Sequence, residues 1–248
     1  MNTHKNYLCY EIKHFESISS TNTYLMQEAK NGAKAKTVVI ADQQTSGRGR
    51  LGRTFESLNN SGLYMSVLLR DVVNFDPTLL TVISAVCVCE SIDEITGKKA
   101  YIKWVNDVYL GSKKVCGILT EGSFIDSKLS YAVVGIGVNI AKPEGGFPPQ
   151  IIDIAGAILD KYSFEARDKL TYLILKRLDY YLNHFNHNEI LSKYREKSII
   201  IGKDVTVYGN GEAFVAKATA INDDFSLTVT DIKGNKITLK SGEVSIKL

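Results

Sequence analysis

Long apolar runs are missing from this 248-residue chain. A stretch such as Val82 to Cys89, interrupted only by Ser84, covers eight residues, whereas a membrane-spanning helix needs roughly 20. No membrane partner is therefore expected. The opening MNTHKNYLCYEIKHFESISS lacks the cationic-then-apolar layout of a secretory signal, which points to a cytoplasmic protein with reduced thiols. Cysteine is scarce: Cys9, Cys87, Cys89 and Cys116 form no C-x-x-C pair and no spacing that converges on a metal, so all four read as small core residues. Histidine is equally sparse. His4, His14, His184 and His187 give one close pair, His184 and His187, without an H-E-x-x-H pattern, and that pair reads as a solvated helix face. With 44% apolar and 23% charged residues, 19 Gly and 4 Pro, disordered and collagen-like classes are excluded. The net charge of +3 is mild and does not by itself call for nucleic acid.

What is present predicts an α+β chain in two parts. Leu8 to Ile18 reads as a strand, and Ser19-Ser20-Thr21-Asn22 offers N-caps for a short helix that carries Leu25, Met26 and Ala29 and stops near Gly32. Strands are predicted over Thr37 to Asp42 and Leu63 to Arg70. The stretch between them, QQTSGRGRLGRTFESLNNSG, has no apolar period and is tethered at both ends, the profile of a functional loop. Asp76-Pro77 starts a core helix that Gly97 ends. Four strand-like segments follow around Ile102, Tyr109, Ile118 and Val134, with turns that favour antiparallel hairpins. AKPEGGFPPQ then leads to a short predicted helix, Ile151 to Lys161, a longer one from Phe164 to about Asn186, and a third from Glu189 to about Lys197. From Ser198 onward only short β-rich runs remain, DVTVYG, EAFVAKATAI, SLTVTD, KITLK and EVSIKL, which predict a small β-barrel. A boundary near Lys197 divides residues 1–197 from 198–248.

The stretch richest in chemistry is Gly47-Arg48-Gly49-Arg50-Leu51-Gly52-Arg53. Glycines let backbone amides approach a ligand while guanidinium groups surround it, which suits phosphate and carboxylate. A single cassette between two buried strands favours an ordered anion cradle over an RG-type nucleic-acid tract. In Lys103-Trp104-Val105-Asn106-Asp107, read as one strand end, residues 103, 105 and 107 share a face. Lys103 and Asp107 are then either a plain ion pair or a phosphate-binding cation beside a Mg²⁺-binding carboxylate. Gly117, Gly135 and Gly137 interrupt strands, so they mark either a bulge or a close approach to the backbone.

The order and separation of Ser20-Thr21-Asn22, Gln44 with GRGRLGR, KWVND, KKVCGIL and GIGVN resemble the biotin protein ligases, the biotin–[acetyl-CoA-carboxylase] ligases. The ending KSGEVSIKL is similar to that family's close. The resemblance implies a class II synthetase-like mixed sheet with flanking helices followed by an SH3-like barrel. It implies joining of biotin to ATP as biotinyl-5′-AMP, with Mg²⁺ and release of pyrophosphate, then transfer to a lysine of a biotin carboxyl carrier protein or carboxylase domain. On matching positions, Ser20, Thr21, Asn22, Gln44, Gly47, Arg48, Arg50, Lys114, Gly117 and Gly135 would line the biotin pocket. Arg48, Arg50, Arg53, Lys103, Trp104, Asn106, Asn139 and Phe147 would face ATP and the adenylate, with Asp107 toward the metal. Lys114, Arg48, Arg50 and Lys103 would be the catalytic cations. Homodimerisation through the central sheet occurs in the family.

Three departures are visible: Val105 in place of a proline, Phe55 in place of a common tryptophan, and Lys247 in place of a frequent arginine. About twenty residues precede Ser20, too few for a DNA-binding domain, so a ligase without DNA binding is expected. The chemistry supports the residue types independently. Two unit negative charges about 4 Å apart repel by roughly 4 kcal/mol at an effective dielectric near 20, and a carboxylate that meets an α-phosphate needs cations to offset this. The rival readings are a nucleic-acid-binding regulator, which needs a wider basic face, and a lipoate ligase, whose family characteristically lacks the arginine-glycine cassette.

Overall fold

The structure is a computed structural model that describes residues 9–70, 72–208, 213–240 and 242–245. The calls on Leu8, His4, the Gly209-Asn210-Gly211 turn and Lys247 lie outside the described residues. Seven strands, β1 (Glu11–Ile18), β2 (Thr37–Gln44), β3 (Gly62–Arg70), β4 (Ala100–Lys103), β5 (Asp107–Leu110), β6 (Lys113–Ile125) and β7 (Lys128–Asn139), form one mixed sheet in the order β1-β2-β3-β7-β6-β5-β4. Only β1 and β2 pair in parallel; every other neighbour is antiparallel. A second, antiparallel sheet holds β8 (Asp204–Tyr208), β9 (Phe214–Ile221), β10 (Leu227–Asp231), β11 (Lys236–Leu239) and β12 (Glu243–Ser245) in the order β11-β10-β9-β8-β12. Its size and strand count fit the expected SH3-like barrel.

Strand alternation sorts the large sheet into two faces. Leu63, Met65, Val67 and Leu69 of β3, with Val134, Ile136 and Val138 of β7, pack into the main core. That face is covered by helix α2 (Pro77–Thr96), backed by α3 (Phe164–Asn183) and α4 (His187–Lys197). Asp76 caps α2 by accepting from the Leu79 amide at 2.8 Å, Pro77 opens it, and Gly97 at φ 67° closes it. The intervening residues Leu68 and Val133 meet Leu25 and Ala29 of α1 (Thr21–Lys30) in a smaller cluster on the opposite face. Each fully buried aliphatic side chain contributes about 1.5–3 kcal/mol. Beyond α1 a cavity opens on this second face, lined in part by residues of the short 3₁₀ turn Arg50–Gly52.

Three expectations need correction. Residues 151–161 form turns, not a helix, because the edge of β6 recruits their backbone: Lys114 N donates to Ile154 O and Gly156 N to Lys114 O, both at 2.8 Å. Cys9 is exposed, whereas Cys87, Cys89 and Cys116 are buried as expected and burial pushes their thiols upward. α3 ends at Asn183, so the exposed His184 and His187 straddle the α3–α4 junction and do not share a helix face.

The two sheets meet at the KWVND turn. The buried Trp104 indole donates to Phe225 O at 2.9 Å, and Tyr194 donates to Val105 O at 3.0 Å. Trp104→Phe removes the donor and leaves a buried carbonyl unpaired, which costs about 1–3 kcal/mol. A lower urea midpoint followed by circular dichroism is the expected result, and an unchanged midpoint would show that the bond contributes nothing.

Candidate active site

Helix α1 starts at the cavity. Ser20 is its N-cap, accepting from the Thr23 amide at 3.4 Å, so Ser20, Thr21 and Asn22 arrive buried and oriented. Gln44 ends β2 beside them, and its carbonyl oxygen accepts from the Thr21 amide at 2.8 Å and the Thr21 hydroxyl at 3.1 Å. Its amide nitrogen donates to Ser57 at 2.7 Å. Ser66 on β3, wholly buried, donates to Asn22 Oδ1 at 2.6 Å. These polar groups are fixed before a ligand arrives.

The strand glycines have a physical explanation. Gly117 and Gly137 face each other across β6 and β7, and the Phe55 ring lies over both: a Cβ on Gly137 would sit 2.5 Å from the ring, one on Gly117 3.2 Å. A Cβ on Gly135 would lie 2.2 Å from Asn22 Oδ1. The close approach inferred from sequence is therefore made by the chain's own side chains. Gly47 plays a similar part inside the loop, where a Cβ would meet Phe55 O at 2.2 Å. It packs the loop on itself and lines neither chamber.

Lys103 ends β4 and Asp107 begins β5, so the two oppose each other across a hairpin, and residues 104–106 turn between them. The expectation of one strand face was wrong in route, although the two positions still come together. Asp107 pairs with Lys114 at 2.7 Å. Lys114 reaches it through a bulge: Val108 opposes Cys116 and Tyr109 opposes Lys114, so Val115 is the extra residue and Lys114 joins the face of Gly117. Without the bulge, an odd separation would have sent Lys114 to the opposite face.

Two adjoining chambers result. The first is lined by Ser20, Thr21, Asn22, Gln44, Leu119 and Gly135 at one end, and by Arg48, Gly49, Arg50, Trp104 and Asn106 beneath the arginine-glycine loop. The second is lined by Tyr109, Cys116, Asn139, Pro143, Phe147 and Ile154. Arg53, Phe55, Lys103, Asp107 and Lys114 belong to both. Phe147 thus falls in the second chamber, as does Asn139, whose amide donates to Gly156 O at 2.9 Å and so also secures the 151–156 segment. Trp104 lines the first chamber with its polar edge committed to Phe225. Burial pushes the Tyr64 and Tyr109 hydroxyls up to about 12, so both remain protonated and neither is a base at neutral pH.

Two arginines of the cassette are tied to the rest of the fold. Arg48 pairs with Glu121 at 2.9 Å, and Arg50 donates to Asn106 Oδ1 at 3.1 Å and to Gly242 O, beside β12, at 3.3 Å. Sequence reasoning missed Glu121, Ser66 and the barrel residues Gly242 and Val244 that line the first chamber. Glu121 lay in plain view within KVCGILTEG, two residues past Leu119 and so on its face.

A biotin/lipoate A/B protein ligase family model matches residues 14–139. The chain belongs to that family. This ligase scaffold covers the arginine-glycine loop, the KWVND turn and the glycine-bearing strands. The chain is 32% identical over 226 residues to the bifunctional ligase/repressor BirA of Bacillus subtilis, covering 88% of this chain and 69% of that protein. It is 28% identical over 235 residues to the biotin–[acetyl-CoA-carboxylase] ligase of Mycobacterium tuberculosis, covering 91% and 85%. Its structure is similar to that of the Aquifex aeolicus biotin protein ligase in complex with biotin and ATP, with a TM-score of 0.80, 29% identity and coverage of 96% and 98%. No helix among the described residues is long and apolar enough to cross a membrane.

Proposed function

We propose that the chain is a biotin protein ligase that forms biotinyl-5′-AMP from biotin and ATP and passes the biotinyl group to a lysine of a carrier domain. The observation that carries this reading is the shared wall: an acid chamber and a nucleotide chamber meet at Lys103, Asp107, Lys114 and Arg53 under one arginine-glycine loop. The biotin carboxylate attacks the α-phosphorus, a P–O bond forms, and pyrophosphate leaves. An incoming lysine amine then attacks the acyl carbon and AMP leaves. Thr21 and Gln44 orient the polar edge of the ureido ring, while Lys114 offsets charge at the junction.

For Mg²⁺, Asp107 supplies a single carboxylate, which fits an ion held mainly by substrate phosphates. No group of three or more His, Cys, Asp and Glu converges among the described residues. Held by Asp107, such an ion would supply positive charge that offsets the charge of the phosphates. We further propose an acetyl-CoA-carboxylase carrier as acceptor, a catalytic unit over 1–197 and a barrel over 198–248, a homodimer through the large sheet, and a cytoplasmic setting.

Native mass spectrometry after incubation with Mg-ATP and either biotin or lipoate tests the reading. Retained biotinyl-AMP is expected. A lipoyl adduct would move the assignment to the lipoate branch, and no adduct with either acid would remove the enzyme assignment.

A further inference from the structure

Three donors in the chamber walls are engaged by the protein itself. Tyr64 donates to Leu58 O, Asn139 to Gly156 O and the Trp104 indole to Phe225 O, each at 2.9 Å. Tyr109 differs. It is only 6% exposed, and its hydroxyl forms no hydrogen bond with any described residue. A buried hydroxyl without a partner is costly, and native folds seldom keep one where nothing compensates. The oxygen is not sealed among side chains as Ser198 Oγ is, so the surface it retains opens into the second chamber, which Tyr109 lines.

The strand pattern fixes where that hydroxyl stands. On β5, Val108 enters the main core and Leu110 packs against it, so Asp107 and Tyr109 take the chamber face. Tyr109 opposes Lys114 of β6 and Tyr101 of β4, and Asp107 is close enough for its charge to hinder loss of the phenolic proton. The hydroxyl is therefore a donor. Polarity divides the chamber across the sheet. Its apolar wall, with Pro143, Phe147, Ile151 and Ile154, comes from the segment that flanks β6 on the β7 side, where Ala155 bridges to Lys114. Lys103 and Asp107 come from β4 and β5, so Tyr109 stands on the charged side. A flat base suits the apolar wall, and phosphate oxygens suit the charged one.

We propose that Tyr109 is a further substrate-contacting residue, whose hydroxyl donates a hydrogen bond to the β- and γ-phosphate portion of ATP, the part released as pyrophosphate. This contact deepens the ligase reading above and rests on it. Tyr109 lines the second chamber and not the first, so it lies across the junction from the acid. In an in-line displacement the leaving group departs toward that side. Lysine attracts an anion from any direction, whereas a hydroxyl on a ring set into a strand fixes the direction in which the phosphates lie.

Tyr109→Phe removes the oxygen and keeps the ring. No described group loses a partner, so the melting temperature is expected to equal that of wild type. Calorimetric titration is expected to give about tenfold weaker binding of α,β-methylene-ATP and of inorganic pyrophosphate, with AMP within about twofold. In ATP–pyrophosphate exchange, KM for ATP and for pyrophosphate is expected to rise about tenfold through lost binding, with kcat within about twofold. A residue that only packs the wall would move neither KM. Equal weakening of AMP and α,β-methylene-ATP would place the hydroxyl on the nucleoside and overturn the proposal. Unchanged binding of all three ligands would overturn it too, as would a variant that fails to fold, since the hydroxyl would then serve the protein. If wild type retains no biotinyl-AMP, the ligase reading fails instead, and pyrophosphate binding by wild type and Tyr109→Phe still decides whether this hydroxyl holds phosphate.

Discussion

Lys114→Met is expected to slow biotinyl-AMP formation by about 10²–10³-fold while biotin binding stays within about tenfold of wild type. Lys114 lines both chambers and lies 2.7 Å from Asp107. With Arg53 and Lys103 it is one of the cations at the junction where the proposed biotin and nucleotide chambers meet, and the one that pairs with Asp107. Charge repulsion there amounts to roughly 4 kcal/mol at about 4 Å and an effective dielectric near 20. Methionine keeps the length of the stem, removes the charge, and leaves Asp107 uncompensated beside two incoming anions. Lys114→Arg is expected to recover only part of the rate, because a planar fork engages Asp107 bidentately and cannot turn freely to the phosphate. ATP–pyrophosphate exchange at saturating biotin measures the step. An exchange rate equal to that of wild type would assign the charge offset to Lys103 or Arg53 instead.

The position of Lys114 also marks the limit of what the chain's pattern discloses. Local signals carry far: the Ser20 cap, the Asp76-Pro77 start with its Gly97 stop, and the β-branched runs all fold as their residue types require. The cassette and the KWVND turn were legible as sites because arginine among glycine, and lysine near aspartate, have few purely structural uses. The Val115 bulge was not legible, since nothing in KKVCGIL distinguishes a strand that keeps its period from one that skips a residue. The 151–161 segment misled for a related reason. Its Ile-Ile-Asp-Ile-Ala pattern suits a helical turn, but the edge of β6 offers Lys114 N and O as partners, and two ladder bonds there outweigh a short isolated helix. Glu121 was overlooked because a glutamate at the exposed end of a strand usually serves only solvation. Its contacts appear only once α1, β6 and the loop converge on it.

Gly135→Ala is expected to weaken biotin binding about a hundredfold and to lower stability by about 1–3 kcal/mol. The added Cβ would lie 2.2 Å from Asn22 Oδ1, and Asn22 has no room to retreat. It is buried, its Oδ1 accepts from Ser66 at 2.6 Å, and its Nδ2 donates to Glu121 at 3.0 Å. Relief therefore requires the first turn of α1 to move, and Thr21 moves with it, away from Gln44. Losing two oriented hydrogen bonds to the ligand's polar edge, at about 1–1.5 kcal/mol each, accounts for the affinity. Calorimetric titration with biotin and a thermal melt measure the two effects separately. Combining Gly135→Ala with Asn22→Ala removes the clash, so the double variant is expected to regain stability but not affinity, a coupling that independent sites would not show. Full-strength biotin binding by Gly135→Ala would mean that α1 yields at no cost and that its first turn does not orient the ligand.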